Sequence, residues 1–126
     1  MPVNWSISHT DRIVLATVEG EASIVDLERY ISDMAAAGGL PYRKLFDMTY
    51  IASGGMRLAE LRVFSGKVLA LAKEGPIGPI AIVVGSEVER EMAELFQQTD
   101  AGRPLAIFGD ATKAREWLDR RPELPR

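Results

Sequence analysis

Ile80-Ala81-Ile82-Val83-Val84-Gly85-Ser86-Glu87-Val88-Glu89 passes from an unbroken apolar run, through a small-residue turn, into a helix signal. The apolar run is mostly β-branched and has no polar face, which predicts a strand covered on both sides, as in the interior of a parallel sheet. Gly85 supplies the turn. Ser86 and Glu89 stand in the spacing of a capping box, in which the hydroxyl and the carboxylate satisfy free N–H groups of a helix start. A buried strand that turns at once into a helix is one step of a β-α-β crossover, so the fold depends on whether the step recurs.

It recurs on both sides. Upstream, a strand over 44–48 leads through a small-residue turn over 49–55 to a helix from about 56 to 72, with Leu61, Phe64, Val68 and Leu71 on one side. Gly66 interrupts that helix at a cost of about 1 kcal/mol against alanine, which predicts a closely approaching neighbour or a bend. Downstream, Leu105-Ala106-Ile107-Phe108 is followed by Gly109 and by Asp110, a cap for a helix that buries Ala114, Trp117 and Leu118. The helix after Gly85 is expected to bury Val88, Met92, Leu95 and Phe96 and to show Glu87, Glu89, Glu91 and Glu94 to solvent. Segment 73–79, rich in Gly and Pro, reads as a stiff surface connection.

The N-terminal part differs. Val3, Trp5 and Ile7 alternate with polar residues, as in an edge strand, and the turn His9-Thr10-Asp11-Arg12 joins them to the apolar run 13–18, predicting an antiparallel hairpin. Ser23, with Asp26 three residues on, caps a helix with the stripe Ile24, Leu27, Ile31 and Met34, which ends at Gly38-Gly39. The order β-β-α-β-α-β-α-β-α predicts an α/β fold: a mixed five-stranded sheet with an N-terminal antiparallel hairpin, then right-handed β-α-β crossovers and about four helices. Residues 1–121 form one domain in this reading, and 122–126 a flexible tail.

Composition bounds the chemistry. At 126 residues, 47% hydrophobic, the chain is long enough to build a core without staples. With no cysteine it has no thiolate nucleophile, disulfide or Cys-based zinc site. A net charge of −3 without a basic cluster argues against nucleic acid. The longest apolar run falls far short of a membrane span and no secretory signal is visible, so a cytoplasmic protein without stable membrane insertion is expected. The single histidine, His9, lies in a hairpin turn and reads as a surface residue. Neither a metal site nor a cofactor is expected, and the absence of paired acid/base groups argues against an enzyme.

In parallel α/β sheets the loops after the strands share one rim beside helix N-termini, where free N–H groups attract anions. This gathers Asp47, Thr49, Tyr50, Ser53, Gly54, Gly55, Met56, Arg57 and Ser86 into a ligand or partner rim. A hydroxyl, two glycines and an arginine at a helix start can dock a phosphate or a carboxylate. The plainer reading of the same residues is that Ser53 caps the helix while the glycines close the turn, with Asp47 bonding loop N–H groups. The strand ends lack the acidic pair and lysine that would make Asp47 a receiver-type phosphoacceptor.

Leu45-Phe46-Asp47-Met48-Thr49 followed by Tyr50-Ile51-Ala52-Ser53-Gly54-Gly55-Met56-Arg57 resembles the strand-loop-helix segment of STAS domains, the sulfate-transporter and anti-sigma-factor-antagonist superfamily. The element order resembles the SpoIIAA-like variant of that fold, grouped with SEC14-type lipid-binding domains. The resemblance implies a regulatory module switched by phosphorylation of a serine before the loop's last glycine. Here Gly55 and Met56 match, but the phosphoacceptor position falls on Gly54 and the acidic position on Ala52, so the usual switch is lost and Ser53 is the neighbouring candidate for phosphorylation. The expectation is a non-enzymatic STAS-like binding or regulatory module acting through protein or small-ligand contacts at 49–57, with a homodimer through the Val3-Trp5-Ile7 edge as one partner arrangement. The alternative is a carrier of a small apolar ligand or lipid, with a cavity between the sheet and the helices that bear Phe64, Val68 and Phe96.

Overall fold

The computed structural model describes residues 3–52, 58–98 and 103–120. The elements run β1 (Val3–Ser8), β2 (Ile13–Gly20), α1 (Ile24–Ala36), β3 (Arg43–Ile51), α2 (Leu58–Ala72), β4 (Ile80–Val83), α3 (Glu87–Gln98), β5 (Leu105–Phe108) and α4 (Ala111–Asp119). The strands lie in sequence order in one five-stranded sheet. β1 pairs antiparallel with β2, and every other pair is parallel. Because the three crossovers step the same way across the sheet, right-handed connections put α1, α2 and α3 on one face. The larger core lies there, including Leu27, Tyr30, Met34, Phe46, Met48, Phe64, Val68, Ile82 and Ala93. Among the described residues, α4 covers the other face, burying Ala114 and Leu118 against Ile13, Ala81 and Val83, with Trp117 packed beside them.

Local signals explain most of the boundaries. Ser23 and Asp26 form a reciprocal capping box on α1. Hydrogen bonds from the Ser23 backbone and hydroxyl hold the Asp26 carboxyl below its ordinary value. The helix closes with a Schellman pair: Gly38, at φ 87°, donates to Ala35 O, and Gly39 donates to Met34 O. Asp110 caps α4 through Thr112 N and Lys113 N.

Four expectations need correction. First, β3 runs on to Ile51, so Thr49 and Tyr50 belong to a strand and not to a loop. Second, in α3 Val88 is 54% exposed while Glu89 is 8% exposed. The Glu89 carboxylate accepts from Gly85 N–H at 2.6 Å, which turns that edge of the first helical turn inward and Val88 outward. The buried stripe is Glu89, Met92, Ala93 and Phe96. Third, segment 73–79 is not wholly superficial, because Ile77, Gly78 and Pro79 are buried against the chain before β3. Gly78 donates to Leu40 O, and a Cβ there would collide with the carbonyls of Pro41 and Tyr42. Fourth, of the two explanations for Gly66, a close neighbour or a bend, the close neighbour is excluded, because open space lies where a Cβ would stand.

Candidate functional site

Side chains alternate along β3, so its two faces serve two different environments. Lys44, Phe46 and Met48 point under α1–α3, while Leu45 and Asp47 point to the α4 side. Between Thr17 and Glu19 the β2–β3 register shifts: Thr17 faces Asp47, but Glu19 faces Tyr50. The extra residue on β3 is a bulge, which reverses the alternation at the strand's end. Ile51 therefore turns into the core, and Tyr50 turns outward, 64% exposed.

At this rim the acceptors find local donors. Asp47 Oδ1 accepts from Thr49 N at 2.9 Å, Ser86 Oγ accepts from Glu89 N, and Glu89 accepts from Gly85 N. A Cβ built on Gly85 would lie 3.1 Å from Thr49 Cγ2, so the end of β3 and the turn after β4 are in close contact. The structure thus brings Thr49 against the Gly85-Ser86 turn, with Asp47 bonded to the Thr49 backbone, and leaves Tyr50 projecting beside Glu19. Ser53, Gly54, Gly55, Met56 and Arg57 lie outside the described residues. Among the described residues, no group of His, Asp and Glu is arranged to hold a metal ion, and no helix is long and apolar enough to cross a membrane.

A second site lies beneath α1–α3. A cavity of ≈ 40 Å³ has apolar walls formed by Ile31, Phe46, Phe64, Val68, Ile82 and Phe96. Ring contacts organise it: Tyr30 stacks at a tilt on Phe46 and takes the edge of Trp5, and Phe64 meets Phe96 edge-on. Trp5 is thereby packed inward from the edge strand. Into the same cavity come Tyr30, Lys44, Ser65 and Arg103. The Tyr30 hydroxyl is buried without a hydrogen-bond partner among the described residues, and burial pushes its ionisation well above the ordinary tyrosine value, so it remains an O–H donor. Lys44 is only 2% exposed and donates from Nζ to Leu40 O at 2.5 Å and Tyr42 O at 2.8 Å. Burial, and secondarily the Arg103 charge, pull its ionisation well below the ordinary lysine value.

Above the cavity, an open groove of ≈ 370 Å³ runs between α1 and α2, crossed by the Lys67–Glu28 ion pair at 2.8 Å. Ile31 and Phe64 line both spaces and form the partition between them.

Sequence spacing points to Phe64, Val68 and Phe96 for such a cavity but not to its polar residues. Weaker signals were present. Lys44 shares strand parity with Phe46 and Met48, and Tyr30 falls between Leu27 and Met34 at helical spacing.

Comparison with known proteins adds the fold. An uncharacterised protein of the DUF3478 family from Shewanella loihica PV-4, described as having a SpoIIAA-like fold, superposes with a TM-score of 0.62. This chain has the SpoIIAA-like fold. The match covers 92% of this chain and 91% of that one at 18% identity, which speaks for architecture and not for a shared ligand. No family model matches the sequence, and no curated protein matches it. In the SpoIIAA-like architecture found here, the rim carries the ends of β3 and β4, and the cavity lies below the crossover helices.

Proposed function

We propose that this chain is a non-enzymatic binding module that takes up a small, largely apolar ligand between its sheet and helices α1, α2 and α3. The observation that carries this reading is the Tyr30 hydroxyl, buried in an aromatic and aliphatic cavity with no partner among the described residues. Leaving a buried donor unpaired costs about 1–3 kcal/mol, a cost that a ligand acceptor relieves. The aromatic walls supply apolar contact, and Ile31 and Phe64, which line both spaces, mark where the cavity adjoins the α1–α2 groove. The test is an NMR titration with a small apolar probe such as isobutanol. Saturable shifts around Tyr30, Phe64 and Phe96, lost in a folded Val68→Phe variant that fills the cavity, are the expected result. Shifts confined to the surface, or unaffected by Val68→Phe, refute it.

A second reading, a protein-contact rim, draws on the bulge that presents Tyr50 and on the exposed Val88 in the first turn of α3. Under that reading Tyr50→Ser with Val88→Ser abolishes partner binding and leaves probe uptake unchanged.

A further inference from the structure

We infer that the ligand of this cavity is an anion, a small carboxylic acid whose apolar body lies among Phe46, Phe64, Val68 and Phe96 and whose carboxylate meets Lys44 Nζ and the Tyr30 hydroxyl. The inference rests on the cavity reading above and specifies the ligand's chemistry.

The donor inventory of the cavity carries the argument. Four polar side chains line it: Tyr30, Lys44, Ser65 and Arg103. An ammonium and a guanidinium are donors only, the phenol is an unpartnered donor, and the serine hydroxyl alone serves in both directions. No Asp or Glu lines the space among the described residues. Lys44 gives two N–H groups to the carbonyls of Leu40 and Tyr42, which leaves one position on Nζ and no formal counter-charge within ion-pair distance among the described residues. A buried ammonium without a carboxylate either gives up its proton, the direction in which burial pushes Lys44, or takes the missing charge from elsewhere. A ligand carboxylate supplies it, and its second oxygen accepts from the phenol.

Neutral ligands match the site less well. An alcohol or ether offers one weak acceptor to a set of strong donors, whereas a carboxylate makes charge-assisted bonds roughly twice as strong as neutral ones. Size sets the rest. One water needs about 10–15 Å³ of such volume, so ≈ 40 Å³ accommodates an apolar body of only a few carbon atoms, unless the Phe64 partition moves.

The experiment titrates the full chain by NMR with butyrate and isovalerate, and in parallel with butanol and isoamyl alcohol. The carboxylates are expected to bind at least about tenfold more tightly, with shifts centred on Tyr30, Lys44 and Phe96. Lys44→Met is expected to erase that preference while leaving alcohol affinity within about twofold. Tyr30→Phe, which removes a hydroxyl that holds nothing in the fold, is expected to lower the carboxylate-to-alcohol ratio several-fold. It decides the matter alone if Lys44→Met does not fold. Alcohols binding as tightly as the acids, or a ratio unchanged in Tyr30→Phe, overturn the anion assignment and leave the cavity reading standing. Binding by neither class overturns both.

Discussion

Lys44 and Asp47 sit three positions apart on β3, carry opposite charge and face opposite sides of the sheet. Asp47 is half-buried near the rim and has a local task, accepting from the Thr49 N–H. Lys44 is sealed beneath three helices, bonded to two carbonyls and facing a cavity whose other polar groups are also donors. The rim pairs its acceptors with the chain's own N–H groups, whereas the cavity has donors to spare. Under the proposed function, ligand demand lies under the helices, although the rim is where α/β topology first directs attention.

The largest expected effect tests how rigidly the floor beside Lys44 is held. Gly78→Ala places a methyl group against the carbonyls of Pro41 and Tyr42 and is expected to cost about 3 kcal/mol, read by urea denaturation. A near-neutral result would show that the Lys44 acceptors rest on a loop free to move.

Next in size is the pH dependence due to Lys44. Its native ionisation lies below the ordinary value of 10.5, so between those two values the unfolded chain holds more protons than the folded one. Stability must then rise with pH across that window, by up to about 1.4 kcal/mol per pH unit, and the destabilisation is fully present below it. Chemical denaturation at a series of pH values below 10.5 measures the slope. Tyr30 acts in the opposite sense only above the ordinary tyrosine value of 10.0. Lys44→Met abolishes the rise, while Asp47→Asn leaves it intact.

At the rim, Asp47→Ala is expected to cost about 1 kcal/mol by leaving the Thr49 N–H without its acceptor. Asp47→Asn keeps an acceptor oxygen and is expected to stay within about 0.5 kcal/mol of the parent. A much larger loss in the asparagine variant would mean that the rim uses the charge itself. The smallest effect concerns α2, the helix over the cavity. Gly66→Ala meets open space and should raise stability by about 0.5–1 kcal/mol, visible as a higher thermal midpoint with probe binding unchanged.

The caps at Ser23, Ser86 and Asp110, the hairpin and the buried β4 were all legible, since each depends on residues close together in the chain. What escaped was rotation and register. α3 turned by about one residue because the Glu89 carboxylate reaches Gly85, and Tyr50 turned outward because β3 carries one residue more than β2 at the bulge. Helical spacing marks a stripe without saying which edge of it the neighbouring helix covers, and strand alternation cannot announce a register shift that exists only in the pairing with another strand. The rim residues Asp47, Thr49 and Ser86 were placed together for a sound topological reason, yet nothing local showed that their polar groups would satisfy one another.

Sequence alone determined the order of elements, their caps and the mixed sheet, because period, capping spacing and crossover handedness act within a few turns of chain. Tertiary structure decided which charge is sealed away and which is wet. Burial depends on what three helices, distant in sequence, jointly cover, and only that covering turns Tyr30 into an unmet donor and Lys44 into a buried amine facing the same cavity.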